Sequence, residues 1–183
     1  MNRRTLLSSA AALAATTILP AEALARTAAQ IAEQGRHALA ELIARQPRAQ
    51  FYASHALAVL VIPSIIKAGL VWGGESGNGV LLAGGRVDGF YNLSGGSFGF
   101  QAGAEKFSLA LFFMNENALR YLHKSGGFAL GTGPSLAFAD KGAGAEASSS
   151  TIVKDIYAIP FNQAGLMADL TLQGTKISVI HPH

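Results

Sequence analysis

From Thr27 to Gln46 the apolar positions recur at helical spacing. At about 100° per residue, Ala28, Ile31, Ala32, Leu39, Leu42 and Ile43 share one face, and Glu33, His37, Glu41 and Arg45 share the opposite one. Glu33/His37 and Glu41/Arg45 are also i,i+4 pairs that support a helix. Pro47 stops this helix, and a shorter helical turn is expected from Arg48 to Ser54. Ala56 to Ile62 is then an unbroken apolar run, which predicts a buried strand ending at Pro63.

Beyond residue 64 the pattern changes from helical periods to short apolar stretches separated by glycine. Twenty of the 21 glycines lie between Gly69 and Gly174. The pairs Gly73-Gly74, Gly84-Gly85 and Gly95-Gly96 are evenly spaced, with Val80 to Ala83 and Phe90 to Leu93 between them. Read as turns, they outline an antiparallel meander or small barrel. Asn78-Gly79 adds a hairpin signal. A long strand is expected from Phe98 onward, with Phe107 to Met114 apolar on both faces. Asn115 to Lys124 reads as a short helix, with a cap at Asn115 and Gly126 closing it. Strands are expected near 128–130, 135–139, 152–161, 166–172 and 176–180, with a flexible tip at 141–150. The predicted fold is α+β: an N-terminal amphipathic helix or helices packed on an antiparallel barrel-like β-sheet, with one short inserted helix.

Residues 1–25 read as a secretory signal peptide, and residues 26–183 as a single domain. Arg3-Arg4 precedes an apolar stretch from Leu6 to Leu19, Pro20 breaks it, and Ala23-Leu24-Ala25 fits a signal peptidase. The paired arginines suit twin-arginine export, with the general secretory route as the alternative. The expected location is therefore the periplasm, peripheral to the inner or outer membrane. Without the leader, 12 basic and 10 acidic residues remain. That balance, with no run of Lys or Arg, argues against nucleic acid. Cysteine is absent, so core and sheet must supply the stability without disulfides.

Several motifs invite chemistry. Gly95-Gly96-Ser97-Phe98-Gly99 matches the pattern of a nucleophile elbow, which needs a strand, a sharp turn at the serine and then a helix. Here the residues after Ser97 alternate as a strand, so a hydrolase at Ser97 with Asp140 or Asp155 and His181 is a remote alternative to a glycine-rich turn. Gly73 to Gly79 resembles a phosphate loop but lacks the Lys-Ser/Thr ending and the following helix. The histidines have no metal-ligand spacing except His181-Pro182-His183, read as a frayed tail. Glu75 and Glu105 stand in apolar, glycine-rich strands, either as paired acids or as partners of a Lys or Arg. No catalytic residue, metal or cofactor is expected. The helix at 27–46 either packs on its own domain or presents a lipid-binding surface. In the second case Arg36, Arg45, Arg48 and Lys67 contact headgroups, with Phe51 and Tyr52 beside them. The face containing Ile31 and Leu39 then inserts or seals an apolar cleft, and Trp72 sits at an interface or fills the core.

Five stretches in order carry a resemblance: Val61 to Gly69, Gly73 to Leu82, Ser97 to Ala104, Phe113 to Leu119, and Gly165 to Gly174. Together they resemble the SYLF domain family over roughly residues 30–180. The resemblance implies a domain without known catalysis. In eukaryotic relatives it binds phosphoinositide-containing membranes, partly through an N-terminal amphipathic helix, and sometimes actin; bacterial relatives are exported envelope proteins. Trp72, Ser76, Asn78 and Gln163-Ala164 depart from the family pattern, and the last removes a lysine-containing turn that would face phosphate. The expected partners are a phospholipid or membrane surface, or another envelope protein.

Overall fold

The structure is a computed structural model that describes residues 26–69, 72–98, 103–139, 152–164 and 175–183. The leader, the tip at 141–150 and the strand expected at 166–172 lie outside these residues.

Helix α1 runs Ala28–Arg45. Thr27 accepts from the Gln30 backbone N–H while the Gln30 side chain accepts from the Thr27 N–H, a reciprocal capping box. Pro47 opens α2, Pro47–His55, where its missing N–H costs nothing. The strands are β1 Ala58–Gly69, β2 Trp72–Ala83, β3 Arg86–Phe98 and β4 Gly103–Phe113. Helix α3, Glu116–Ser125, follows; Asn115 caps its start and Gly126, at φ 63°, closes it in the left-handed region. Then come β5 Gly127–Ala129, β6 Leu136–Phe138, β7 Ile156–Ala164 and β8 Lys176–Ile180.

The eight strands form one sheet in the order β5-β8-β3-β2-β1-β4-β7-β6. All pairs are antiparallel except β6 with β7. One apolar cluster gathers Phe128 and Ile177 from one flank, Ile156 and Ala158 from the other, and Leu60, Leu81, Leu93 and Leu109 between them. Side chains from opposite flanks meet because the sheet curls into a half-barrel around its own inner face, where Ala118 and Leu122 of α3 join them. The α+β reading with a barrel-like sheet is thus what the chain adopts. The edge strands β5 and β6 are three residues each, which limits the unpaired backbone they offer.

Strand alternation sends the other side chains outward, where α1 and α2 cover them. Ala38, Leu42, Ala49 and Tyr52 pack on Val59, Val61, Ala110 and Phe112, and Ile31 and Ala32 pack on Val80 and Leu82. Gly35 lets α1 come this close: a Cβ there would overlap Cγ1 of the fully buried Val80.

Five expectations are corrected. Strand β1 does not end at Pro63 but continues to Gly69. The pairing register shifts between Ile62 and Ile65 against β4, a bulge that relieves the strand of needing a Pro63 N–H. Asn78-Gly79 is not a turn; both lie inside β2, opposite Asn92 and Tyr91. Glycine is needed there for space. A Cβ on Gly79 would stand 2.5 Å from the Val61 carbonyl oxygen, and one on Gly77 2.6 Å from that of Ser64, where the bulge pushes β1 against its neighbour. Of the three glycine pairs only Gly84-Gly85 turns the chain, with φ of 55° and 78° between the paired Ala83 and Arg86, while Gly74 and Gly96 face each other across β2 and β3. Phe98 belongs to β3 rather than to the strand of Phe107. The C-terminal residues are not a free tail, since the His183 carbonyl accepts from the Ala28 N–H.

Candidate functional site

The residues expected to bind lipid fall into two groups at different places in the fold. Arg36, Arg45, Arg48, Phe51 and Tyr52 belong to the helical layer on the outer face. Lys67 and Trp72 stand at the far end of β1 and β2. The nine steps from Ala58 to Lys67 correspond to about 30 Å of strand.

In the helical layer the apolar face of α1 is already used. Ile31 is 1% exposed against Val80 and Leu82, and Leu39 is half-buried beside them. The polar face is open. Arg36 is exposed, and Arg45 is 68% exposed with its Nη2 2.7 Å from Glu41 Oε1. Glu41 Oε2 also accepts from Asn162 Nδ2 at 3.3 Å, so that carboxylate is held from two sides.

Helix α2 is tied down by its rings. Tyr52 is buried and stacks on Tyr157 of β7 at 4.4 Å between centroids and 19° between planes. Phe51 meets Tyr52 edge-on at 5.5 Å and His55 at 4.4 Å. Burial pushes the Tyr52 phenol above its ordinary pKa, Tyr157 adds to the rise, and the Arg48 charge opposes it. Arg48 itself is half-buried, and its Nη1 is enclosed without a hydrogen-bond partner.

At the other end, Lys67 pairs in register with Glu75 on β2 and with Glu105 on β4. Alternation puts all three on the inner face, two residues from Ile65, Gly77 and Phe107, so Lys67 is flanked in register by two glutamates. Glu75 is 7% exposed and reaches across Gly95 of β3 to accept from Thr175 Oγ1 at 2.5 Å. A Cβ on Gly95 would lie 2.9 Å from Glu75 Oε1 and 3.1 Å from Thr175 Oγ1, so the glycine clears the path of this bond. Trp72 begins β2 opposite Phe98.

Ser97 lies within β3, paired with Gly73, and not at a strand-to-helix turn. Asp155 has structural work. It accepts from Asn115 Nδ2 at 2.6 Å and from the backbone N–H and hydroxyl of Ser135 at 2.8 and 2.7 Å, joining the α3 cap to the start of β6. These bonds, the one from Asn115 foremost, hold its carboxyl below the ordinary value. Among the described residues no group of three or more His, Asp or Glu is placed to hold a metal ion, and no helix is long and apolar enough to cross a membrane.

Two features escaped the residue pattern: the unmatched guanidinium nitrogen of Arg48, and the bond from Thr175 over Gly95 to Glu75. The second depends on residues one hundred positions apart, Glu75 and Thr175, which no local period relates.

In comparison with known families, the model described as Ysc84, Las17-binding protein actin regulator, matches residues 94–181. The match runs from the end of β3 to the end of β8 and leaves α1, α2, β1 and β2 outside it. No curated protein matches the chain.

Proposed function

Because this chain belongs to the SYLF domain family, a family of binding modules not known for catalysis, we propose that it is a non-enzymatic phospholipid-binding protein of the bacterial cell envelope, peripheral to a membrane. The observation that carries the reading is the outer surface of the helical layer. Residues 26–57 hold four arginines against two glutamates. The apolar stripe of α1 is committed to the sheet, while Arg36 and Arg45 stay in solvent and Phe51 lies at the rim. Such a surface attracts an anionic bilayer by charge, and the attraction falls with salt. In this reading Lys67 and Trp72 take no part in the same contact, since they stand at the other end of the sheet.

The test is co-sedimentation with neutral and anionic phospholipid vesicles at low and moderate salt. Wild-type protein is expected to bind anionic vesicles, more weakly as salt rises, and Arg36→Glu with Arg45→Glu to abolish most of the binding. No binding to any vesicle would overturn the reading and leave recognition of another envelope protein as the role of the domain.

A further inference from the structure

The helices cover only part of the outer sheet face. Helix α1 runs across the strands. Its Ala28 N–H donates to His183, just past β8, Ile31 lies on β2, Leu42 packs with β1 and β4, and Glu41 accepts from Asn162 of β7. Beyond Val61 and Val80 the outer face has no such cover. Ile66 of β1 is 55% exposed there, and Ala68, Gly74, Ser76 and Gly96 are exposed around it. Alternation places them outward, since Ile65 and Phe107 face the inner core.

The uncovered strip has a direction and a width. Lys176, Ser94, Ser76, Ile66 and Lys106 pair in register as one row over the adjacent strands β8, β3, β2, β1 and β4. That row runs the same way as α1. Ser76 lies four residues along β2 from Val80, about 13 Å, and a helix is about 10–12 Å across. The strip is therefore a step beside α1 with room for one more helix, and Gly74 and Gly96 at its far border let a backbone come close. Charge is sorted between the faces. Glu75 and Glu105 point inward, while Lys176 and Lys106 stand exposed at the two ends of the outer row with no acid between them. Neither lysine has an ion-pair partner among the described residues. They are four strand spacings apart, about 19 Å, a distance spanned by about 13 residues of helix.

We propose that this step on the outer sheet face docks an acidic amphipathic helix of a partner protein. Its apolar stripe covers Ile66, and acids near its two ends meet Lys176 and Lys106. A flat bilayer resting on the helical layer is held off Ile66 by the thickness of α1, so the strip calls for a partner that enters the step. The docking site does not depend on the membrane reading and stands or falls without it.

The probes are stapled helical peptides of about 13 residues with a leucine stripe: one with glutamates near both ends, one with lysines there, and one of the acidic composition with the stripe scrambled. Each is titrated into isotope-labelled protein while the backbone signals of Ile66, Ser76 and Ser94 are followed by NMR. The acidic peptide is expected to shift all three saturably, more weakly as salt rises, and the other two peptides to leave them unmoved. Lys106→Glu with Lys176→Glu should weaken binding by about tenfold or more, and Ile66→Ser by about tenfold. Ser76→Tyr fills the step from an exposed position and should abolish it; it serves as the second variant where another loses the native circular dichroism spectrum. No saturable shift with the acidic peptide overturns the docking site, and so does equal binding of the basic or scrambled peptide or of the charge-reversed protein. Anionic vesicles form the last arm. If they perturb the same three signals and Ile66→Ser loses vesicle binding, the strip is a membrane surface and the proposal fails.

Discussion

Replacing Gly35 with alanine tests how α1 is held. In an isolated helix the change is favourable by about 1 kcal/mol, because alanine loses less backbone freedom. Here the added Cβ would overlap Val80 Cγ1. Val80 is fully buried and β-branched, so it has no spare rotamer to move into. Overpacking of this kind costs about 1–3 kcal/mol. Relief by lifting α1 is no cheaper, since it uncovers Ile31 and Leu42, each worth about 1.5–3 kcal/mol when buried. The overlap is deep, which puts the cost in the upper part of that range, about 2–3 kcal/mol, and the balance against the helix-propensity gain is a net loss of about 1–2 kcal/mol. For a domain of this size that lowers Tm by about 2–8 °C. Thermal unfolding followed by circular dichroism reads this, with Gly96→Ala as the control because a Cβ there meets nothing within 4 Å. A Gly35→Ala protein as stable as wild type, or more so, would refute the close docking of α1 on β2.

Two other changes probe bonds that join distant segments. Thr175→Val leaves the buried Glu75 carboxylate without its hydroxyl donor and should destabilise the domain by about 1–3 kcal/mol in denaturant unfolding, whereas Thr175→Ser should cost under about 1 kcal/mol. The Asp155 carboxyl is held below its unfolded value, so its bonds contribute in full above about pH 4 and are lost as pH falls through the lower folded value. Asp155→Asn should remove this dependence, seen as a flatter fall of Tm from pH 5 to pH 2, and an unchanged slope would contradict the assignment.

The helices were the most legible elements, because each is announced by residues near its own ends. Thr27, Pro47, Asn115 and Gly126 act on the first or last turn and need no distant partner. The glycines misled for the opposite reason. Gly77 and Gly79 carry the same local signal as Gly84 and Gly85. They are glycine because the bulge around Pro63 brings β1 carbonyls within 2.6 Å of any Cβ, a fact set by residues thirteen or more positions away. Turn glycines and packing glycines look alike until the neighbouring strand is known. At the candidate site, helix periodicity separated the polar face of α1, with Glu33, His37, Glu41 and Arg45, from its apolar face. It did not reveal that Lys67 lies between Glu75 and Glu105, because that row exists only once β1 is placed between β2 and β4.

The packing of α1 also bears on how a membrane would be met. If α1 turned its apolar face into a bilayer, Ile31 and Leu42 would exchange one apolar environment for another at little cost. The sheet would fare worse, because Val61, Val80 and Leu82 would lose their cover and face water. At about 1.5–3 kcal/mol for each such side chain, uncovering these three costs several kcal/mol unless lipid also reaches the sheet. Contact through Arg36, Arg45 and Arg48 with α1 still docked carries no such penalty. The Gly35→Ala protein separates the two cases. A loosened α1 would bind vesicles more tightly if release were part of the contact, because part of the uncovering cost would already be met. Binding through the docked layer predicts vesicle affinity equal to wild type despite the lower Tm.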